Sequence, residues 1–172
     1  MAGNVPSFAE LLAATRQSAI HLEMRDSYTP DDPKFHAWKE RGALEGFGEG
    51  TRWFDLIGSA VARGVTVRRA RIVSEPVTDY IRFEHAVTGR HNVPAGELVR
   101  WLPRRHASTL ALPGNDFWVF DDRLVRFHHF SGDGHSLDDD EFSEDAAVIR
   151  LCAEAFEAVW ARAIDHADYE PT

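Results

Sequence analysis

A single α/β domain over residues 1–172, with a mixed β-sheet flanked by helices, follows from three features of the sequence. Segments of helical periodicity alternate with short alternating or β-branched segments, the pattern of an α/β chain. One of these, VTVRRARIV at Val65–Val73, carries Val65, Val67, Ile72 and Val73 behind Gly64, which marks it as a strand. Near the C-terminus, Val148, Leu151, Cys152, Ala155, Val159, Trp160 and Ala163 keep one helical period. No internal repeat or low-complexity linker divides the chain, so no domain boundary is drawn.

In chain order, Ser7 caps a helix from Phe8 to Arg16, with Leu11 and Leu12 on its apolar stripe. Ser18–Arg25 alternates, with Ala19, His21, Glu23 and Arg25 on one face and Ile20, Leu22 and Met24 on the other. It reads as a half-buried strand. After a turn-rich loop, Asp31 or Asp32 caps a short helix from Pro33 to Arg41. The glycines at 42, 46, 48 and 50 are not a phosphate loop, because neither Gly-Lys-Ser/Thr nor GxGxxG spacing accompanies them. Thr51 caps a helix from Arg52 to Arg63 built on Trp53, Leu56, Ile57, Ala60 and Val61.

The strand 65–73 comes next, with Arg69 and Arg71 on one face and Arg68 on the other. Ser74 stands where a helix N-cap belongs and Pro76 in the first turn, followed by Val77, Tyr80, Ile81, Glu84 and Val87 at helical spacing. Thr88–Gly96 reads as a loop, Leu98–Leu102 as a strand ended by Pro103, and Leu110–Leu112 as a brief strand before the Pro113-Gly114-Asn115 turn. Phe117–Phe120 and Leu124–Phe130 form a hairpin about Asp121-Asp122, and Leu137–Phe142 an acidic edge strand. Ser143 or Asp145 caps the last helix, and Asp168–Thr172 is expected to fray. Strand 65–73 is expected in the sheet interior, flanked by 98–102 and 117–120. The expected core includes Val67, Ile72, Tyr80, Trp118, Leu151, Phe156 and Trp160.

Composition excludes several functions. Hydrophobic content of 44% and charged content of 27% are ordinary for a globular domain. No apolar run approaches membrane-spanning length, and Met1–Phe8 lacks the apolar core of a signal peptide, so a cytoplasmic protein is expected. The sole cysteine, Cys152, permits neither an internal disulfide nor a cysteine zinc site, and its helical position suits a core thiol. Net charge is −9, with 11 arginines against 7 acids in residues 63–126 and 2 against 12 in residues 127–172. That distribution argues against direct nucleic-acid binding and leaves room for one anion in the basic middle. His128, His129 and His135 near Asp133 and Asp138–Asp140 lack metal-site spacing, and Ser74 lacks a Gly-x-Ser-x-Gly elbow. No metal, cofactor or catalytic residue is assigned. Trp101 and Trp118 are the two tryptophans placed for ligand stacking.

Two resemblances extend this reading. The stretches RRARIVSEPVTDYIRFE at 68–84, LVRWLPR at 98–104, DFWVFDD at 116–122 and FEAVWARA at 156–163 resemble an actinobacterial family, a domain of unknown function often encoded near helix-turn-helix regulators. The order Arg-Gly-Val-x-Val-Arg at 63–68, helix, Val-x-Asp-Asp at 119–122, and Phe-Glu-x-x-Trp at 156–160 resembles one half of the phospholipase D-like fold. Active members carry His-x-Lys-x4-Asp. With its aspartate on Asp121, Gly114 stands at the histidine position and Asp116 at the lysine position. The resemblance therefore implies a non-catalytic relative with a pocket repurposed for binding.

The expected function is a non-catalytic binding module in a bacterial regulatory system, receiving a small anionic ligand or a regulatory protein. The alternative is an enzyme with a carboxylate and arginine site acting on a phosphoester or another anionic substrate. Arg69, Arg71, Arg82, Glu84, Arg100 and Asp116 are the expected ligand-binding residues, grouped at the C-terminal edge of the central strand, where open α/β sheets place their ligands. The competing expectation is an internal salt-bridge network.

Overall fold

The computed structural model describes residues 6–172 and is organised on β2 (Thr66–Val73). This strand pairs in parallel with β1 (Ser18–Glu23) on one side and β3 (Leu98–Pro103) on the other. From β1 the sheet continues antiparallel through β4 (Phe117–Phe120), β5 (Leu124–Phe127) and β6 (Glu141–Ser143). Beyond β3 the two-residue β7 (Ile164–Asp165) closes the far edge, giving the order β6-β5-β4-β1-β2-β3-β7. The central strand is interior as expected, but β1, not β4, is its second neighbour. Ala19 to Glu23 are buried on both faces, a burial that only a central strand provides.

Alternation along the strands divides the core. Ile20, Leu22, Ala70, Ile72, Phe117 and Val119 point to one face, which α5 (Ala146–Trp160) covers with Cys152, Ala155, Phe156 and Val159. The Cys152 thiol is buried there, and burial pushes its pKa up to about 11. On the opposite face, α1 (Phe8–Ala14) and α3 (Arg52–Ala62) pack on Ala19, Val67, Trp118 and Phe120. Further along that face, α2 (Pro33–Arg41) and α4 (Asp79–Val87) gather with Val73, Val99 and Trp101. Two apolar clusters thus share one face, and the strip of sheet between them is polar.

Several expectations are corrected. The fourth helix begins at Asp79 with Thr78 as its cap, not at Ser74. The Ser74 N–H and hydroxyl both donate to the Asp26 carboxylate at 2.7 Å, which leaves no acceptor turned toward a following helix. Thr88–Asn92 is a π-helical turn rather than loop. Leu110–Leu112 pairs with no strand. β1 stops at Glu23, β5 at Phe127, and the acidic edge shrinks to Glu141–Ser143. The C-terminal segment does not fray. Tyr169 stacks on Trp101, Val77 N–H donates to the Thr172 carbonyl, and Arg82 donates to that of Pro171. Leu151 is 46% exposed and Trp160 half-buried, because the buried stripe of α5 runs through Cys152, Ala155, Phe156 and Val159. Residues 1–5 lie outside the described part. No helix among the described residues is long and apolar enough to cross a membrane.

Phe156→Ala should therefore cost about 3–5 kcal/mol of unfolding free energy, the range for a fully buried aromatic. Leu151→Ala should cost less than about 1 kcal/mol. Urea denaturation of both variants checks this, and equal losses would mean the helix is docked on a different stripe.

Candidate functional site

The polar strip is built by strand register. Parallel pairing sets His21 beside Arg69 and Glu23 beside Arg71, all four facing the two apolar clusters. Arg69 and Arg71 are each only 5% exposed. Glu23 spans them: its Oε1 accepts from Arg69 Nη1, and its Oε2 accepts from Arg71 Nε at 2.5 Å. Arg69 Nε also donates to Glu97 Oε1 at 2.7 Å, and Asn92 Nδ2 donates to Glu97 Oε2 at 2.6 Å. Arg71 Nη1 donates to Thr88 Oγ1 at 2.7 Å and lies 3.4 Å from Glu84 Oε2, within ion-pair reach but misaligned for a hydrogen bond. The guanidinium planes are flanked by indoles, Arg69 by Trp53 and Trp118 and Arg71 by Trp101. Trp118 and Trp101 are thus engaged by the protein's own cations.

Electrostatics follow from this packing. Burial alone would lower the pKa of both arginines, and the surrounding glutamates more than reverse it, so both stay charged. Burial likewise opposes ionisation of Glu23, but Arg69 and Arg71 hold its pKa below the usual carboxylate value. Glu84 has the poorest partner of the set. Desolvation, only partly offset by Arg71, and the like charge of Glu23 push its pKa up to about 7. His21 is buried against Trp118, with ring centroids 4.3 Å apart, and neither ring nitrogen has a hydrogen-bond partner. Burial, then Arg69, keeps its pKa well below the ordinary histidine value, so it is neutral. Beyond it, Asp140 binds Arg126 and the His128 Nδ1. Among the described residues no group of three or more His, Cys, Asp or Glu is gathered as a metal site.

The structure brings together Arg69, Arg71 and Glu84 and separates the other expected residues. Arg82 lies on the outer side of α4, engaged with the Pro171 carbonyl. Arg100 pairs in register with Ala70, so it emerges on the α5 face, stacked on Trp160 and bonded to Asp165 at 2.7 Å. Strand parity explains this: Ala70 and Arg71 point to opposite faces. Asp116 lies next to the layer, at the entrance to β4. Its Oδ1 accepts from Met24 N–H at 2.9 Å and its Oδ2 from the Tyr28 hydroxyl. Desolvation and the nearby Glu23 push its pKa up to about 6.

Asp116, itself only 4% exposed, borders the sheet edge. With Met24, Arg25, Leu112–Asn115 and Phe130 it lines a cleft of about 320 Å³ at the C-terminal edge of the sheet. Met24 and Arg25 are shared with a second cleft, of about 420 Å³, bounded by Asp26, Ser27, Thr78 and Gly132–Gly134. Arg104 braces this edge by donating to the carbonyls of Met24 and Ile72 and to the Ser74 hydroxyl. The Arg25 guanidinium lies 4.8 Å from the Phe130 ring centre. Among the described residues it forms no ion pair within 4.0 Å. A cleft of about 400 Å³ at the opposite end is lined by Arg63, whose guanidinium is committed to the Leu12 and Ser59 carbonyls. Asp121 also sits at that end, accepting the N–H groups of Arg16, Gln17 and Ser18.

Sequence reasoning missed Glu23, Glu97 and Arg25 as site residues. The signal for Glu23 was present, since His21 and Glu23 alternate on a strand in step with Arg69 and Arg71. Arg25 continues the same alternation, two residues beyond where β1 ends, whereas Glu97, 1% exposed, carries no periodic signature.

The chain belongs to a family described as a domain of unknown function, DUF6879, whose model matches residues 6–171. No curated protein matches it. Nuc, a phospholipase D family member from Salmonella typhimurium, superposes with a TM-score of 0.51 over 91% of this chain and 86% of its own, at 10% identity. TrmBL2, an archaeal chromatin protein whose structure is described as showing a novel mode of DNA binding, gives a TM-score of 0.50 at 16% identity. The match covers 90% of this chain and 47% of TrmBL2, so this chain spans about half of that protein's length. NucT from Helicobacter pylori gives 0.47 at 12% identity, over 91% of this chain and 87% of its own. At these identities the likeness is one of fold: the domain is phospholipase D-like.

Removing one partner from the buried layer should be severe. Arg71→Met strands Glu23 and Glu84 and should cost about 3–5 kcal/mol in urea denaturation. Adding Glu23→Gln should recover part of that loss, and full additivity would show that the two do not interact. Glu84 carries a pH signature. Its folded pKa of about 7 lies above the ordinary glutamate value of 4.5, so its stabilising contribution is complete below about pH 4.5 and lost as pH rises through 7. Glu84→Gln should therefore be relatively more stable than the parent at pH 8 than at pH 5. A pH-independent difference between the two would contradict the raised pKa.

Proposed function

We propose that this DUF6879 domain is a non-catalytic binding module that receives a small ligand bearing an anionic group in the cleft at Arg25, as part of a regulatory system. One observation carries the reading. Gly114 and Asp116, which fall at the nucleophile and phosphate-lysine positions of the phospholipase D motif, both line this cleft. The pocket persists where the chemistry would stand, but neither an imidazole nor an ammonium is there to form and stabilise a phosphohistidine. Among the described residues Arg25 is the only cation lining it, and the guanidinium presents a fork suited to carboxylate or phosphate. Arg69 and Arg71 do not serve the ligand in this reading, because three glutamates already surround them. The regulatory setting rests on the family resemblance.

A second reading has one observation of its own. Asp116 is buried, hydrogen-bonded to Tyr28 and poised at a pKa of about 6, in the range of a general base. That favours an enzyme acting on a phosphoester or another anionic substrate.

Isothermal titration with inorganic phosphate, a phosphomonoester and short carboxylates tests the first reading. At least one should bind, and Arg25→Met should abolish that binding while leaving the melting temperature within about 2 °C, as for a surface substitution. Pure protein should show no turnover of a generic phosphodiester. Hydrolysis that disappears in Asp116→Asn, with binding retained, would overturn the first reading in favour of the second.

A further inference from the structure

The cleft is not simply basic. Its two charged side chains have opposite sign, Arg25 and Asp116, and line the same cavity without forming an ion pair. Both line the cleft and are more than 4.0 Å apart at their charged atoms, and Arg25 lies near enough to lower the Asp116 pKa. Asp116 cannot turn toward Arg25, because Met24 N–H and the Tyr28 hydroxyl hold both of its oxygens. Arg25 is steadied over the Phe130 ring. The remaining walls combine the apolar side chains of Met24, Leu112, Pro113 and Phe130 with Gly114 and the polar Asn115. The volume, about 320 Å³, is at the small end of ligand pockets.

We infer that the cleft recognises a free α-amino acid with an apolar side chain, its carboxylate on Arg25 and its ammonium on Asp116. This rests on the reading of the cleft as the binding site and narrows the ligand class. An α-amino acid carries both charges on one carbon, so a single small molecule spans the gap between two protein charges that cannot close on each other. Each end then gains a charge-assisted hydrogen bond. The side chain is left to the apolar walls. A simple anion is a poorer fit, because at neutral pH it enters against the Asp116 carboxylate.

Opposite pH dependences separate the two ligand classes. The groups acting on Asp116 are Tyr28 and Arg25 from the loop after β1, Glu23 at its end, and Glu84 of α4, whose charge and that of Asp116 repel each other. Tyr28 stays neutral, since burial, then Asp116, raises its pKa, and Glu23 stays ionised on its arginines. Asp116 is therefore the cleft-lining member that titrates near pH 6; Glu84, pushed up to about 7, does not line the cleft, and Glu84→Gln removes its contribution from the pH comparison. An ammonium ligand needs its ionised form, so amino-acid affinity falls as pH drops through about 6, whereas the affinity of a simple anion rises.

The test is isothermal titration of the full chain at pH 7.5 and pH 5.5 with five probes: L-leucine, L-methionine, L-phenylalanine, N-acetyl-L-leucine and L-leucinamide. At least one free amino acid should bind, more tightly at pH 7.5. Blocking either charge of leucine should weaken binding about tenfold or more, the loss of one charged contact. Asp116→Asn should reduce leucine to the level of its N-acetyl form, and Arg25→Met to that of its amide. The blocked ligands probe the unaltered protein, so the result survives if a variant misfolds. Equal binding of leucine and N-acetyl-leucine, or of phosphate and carboxylates alone, would overturn the amino-acid inference and leave the anion-binding reading standing. Silence of every probe, phosphate and carboxylates included, would overturn both.

Discussion

A carboxylate between two guanidinium groups, out of reach of water, is the constraint on which the rest of this domain depends. Glu23 comes from β1, Arg69 and Arg71 from β2, and their bonds fix the register of the two strands that form the centre of the sheet. A slip of one residue would turn both arginines into the apolar face under α5. Two buried cations, two buried glutamates and the half-buried Glu84 demand near-complete mutual pairing. Glu97 and Asn92 supply part of it from the turn before β3, and Thr88 and Glu84 supply part of it from the end of α4. The crossover between β2 and β3 is thereby locked to the face it crosses. Glu84, the least well satisfied carboxylate, is where the layer yields a proton.

This saturation assigns the work. Arginines already engaged by glutamates and stacked on tryptophans have little left to offer a ligand. The edge of the sheet is built differently. Asp26 and Arg104 tie the ends of β1 and β2 together, and the loops 24–28 and 112–116 then diverge around a cleft. Asp116 belongs to both regions. Glu23 helps to raise its pKa from the side of the layer, and it is also among the residues that line the cleft. The interior network and the cleft are electrostatically continuous.

Much of the fold was legible in the sequence because it rests on local periodicity. The period of α5, the alternation of β1 and the parity of Arg68, Arg69 and Arg71 are properties of short segments, and each appears in the structure. The phospholipase D-like architecture was likewise carried by motif order. What was not legible depends on distant partners. The insertion of β1 between β2 and β4 is decided by burial of both its faces. The delayed start of α4 follows from Asp26 claiming Ser74, 48 residues away. The docking of Tyr169 on Trp101 needs a surface that exists only once β3 is in place. Within the candidate site, Arg69, Arg71 and Glu84 were found by parity and helical spacing. Arg100 was misassigned because its strand register was unknown, and Arg25, read as the end of the β1 alternation, was passed over because the strand stops at Glu23 and leaves it in the loop beside the cleft.

The central claim is a division of labour: Arg69 and Arg71 hold the fold, and Arg25 meets the ligand. Heteronuclear NMR of the arginine Nε–H groups, followed during titration with a bound anion or amino acid, measures it directly. The account predicts that the Arg69 and Arg71 resonances are protected from solvent exchange and unmoved by ligand, while the Arg25 resonance shifts with saturation. Ligand-induced shifts at Arg69 or Arg71 with Arg25 unchanged would contradict it.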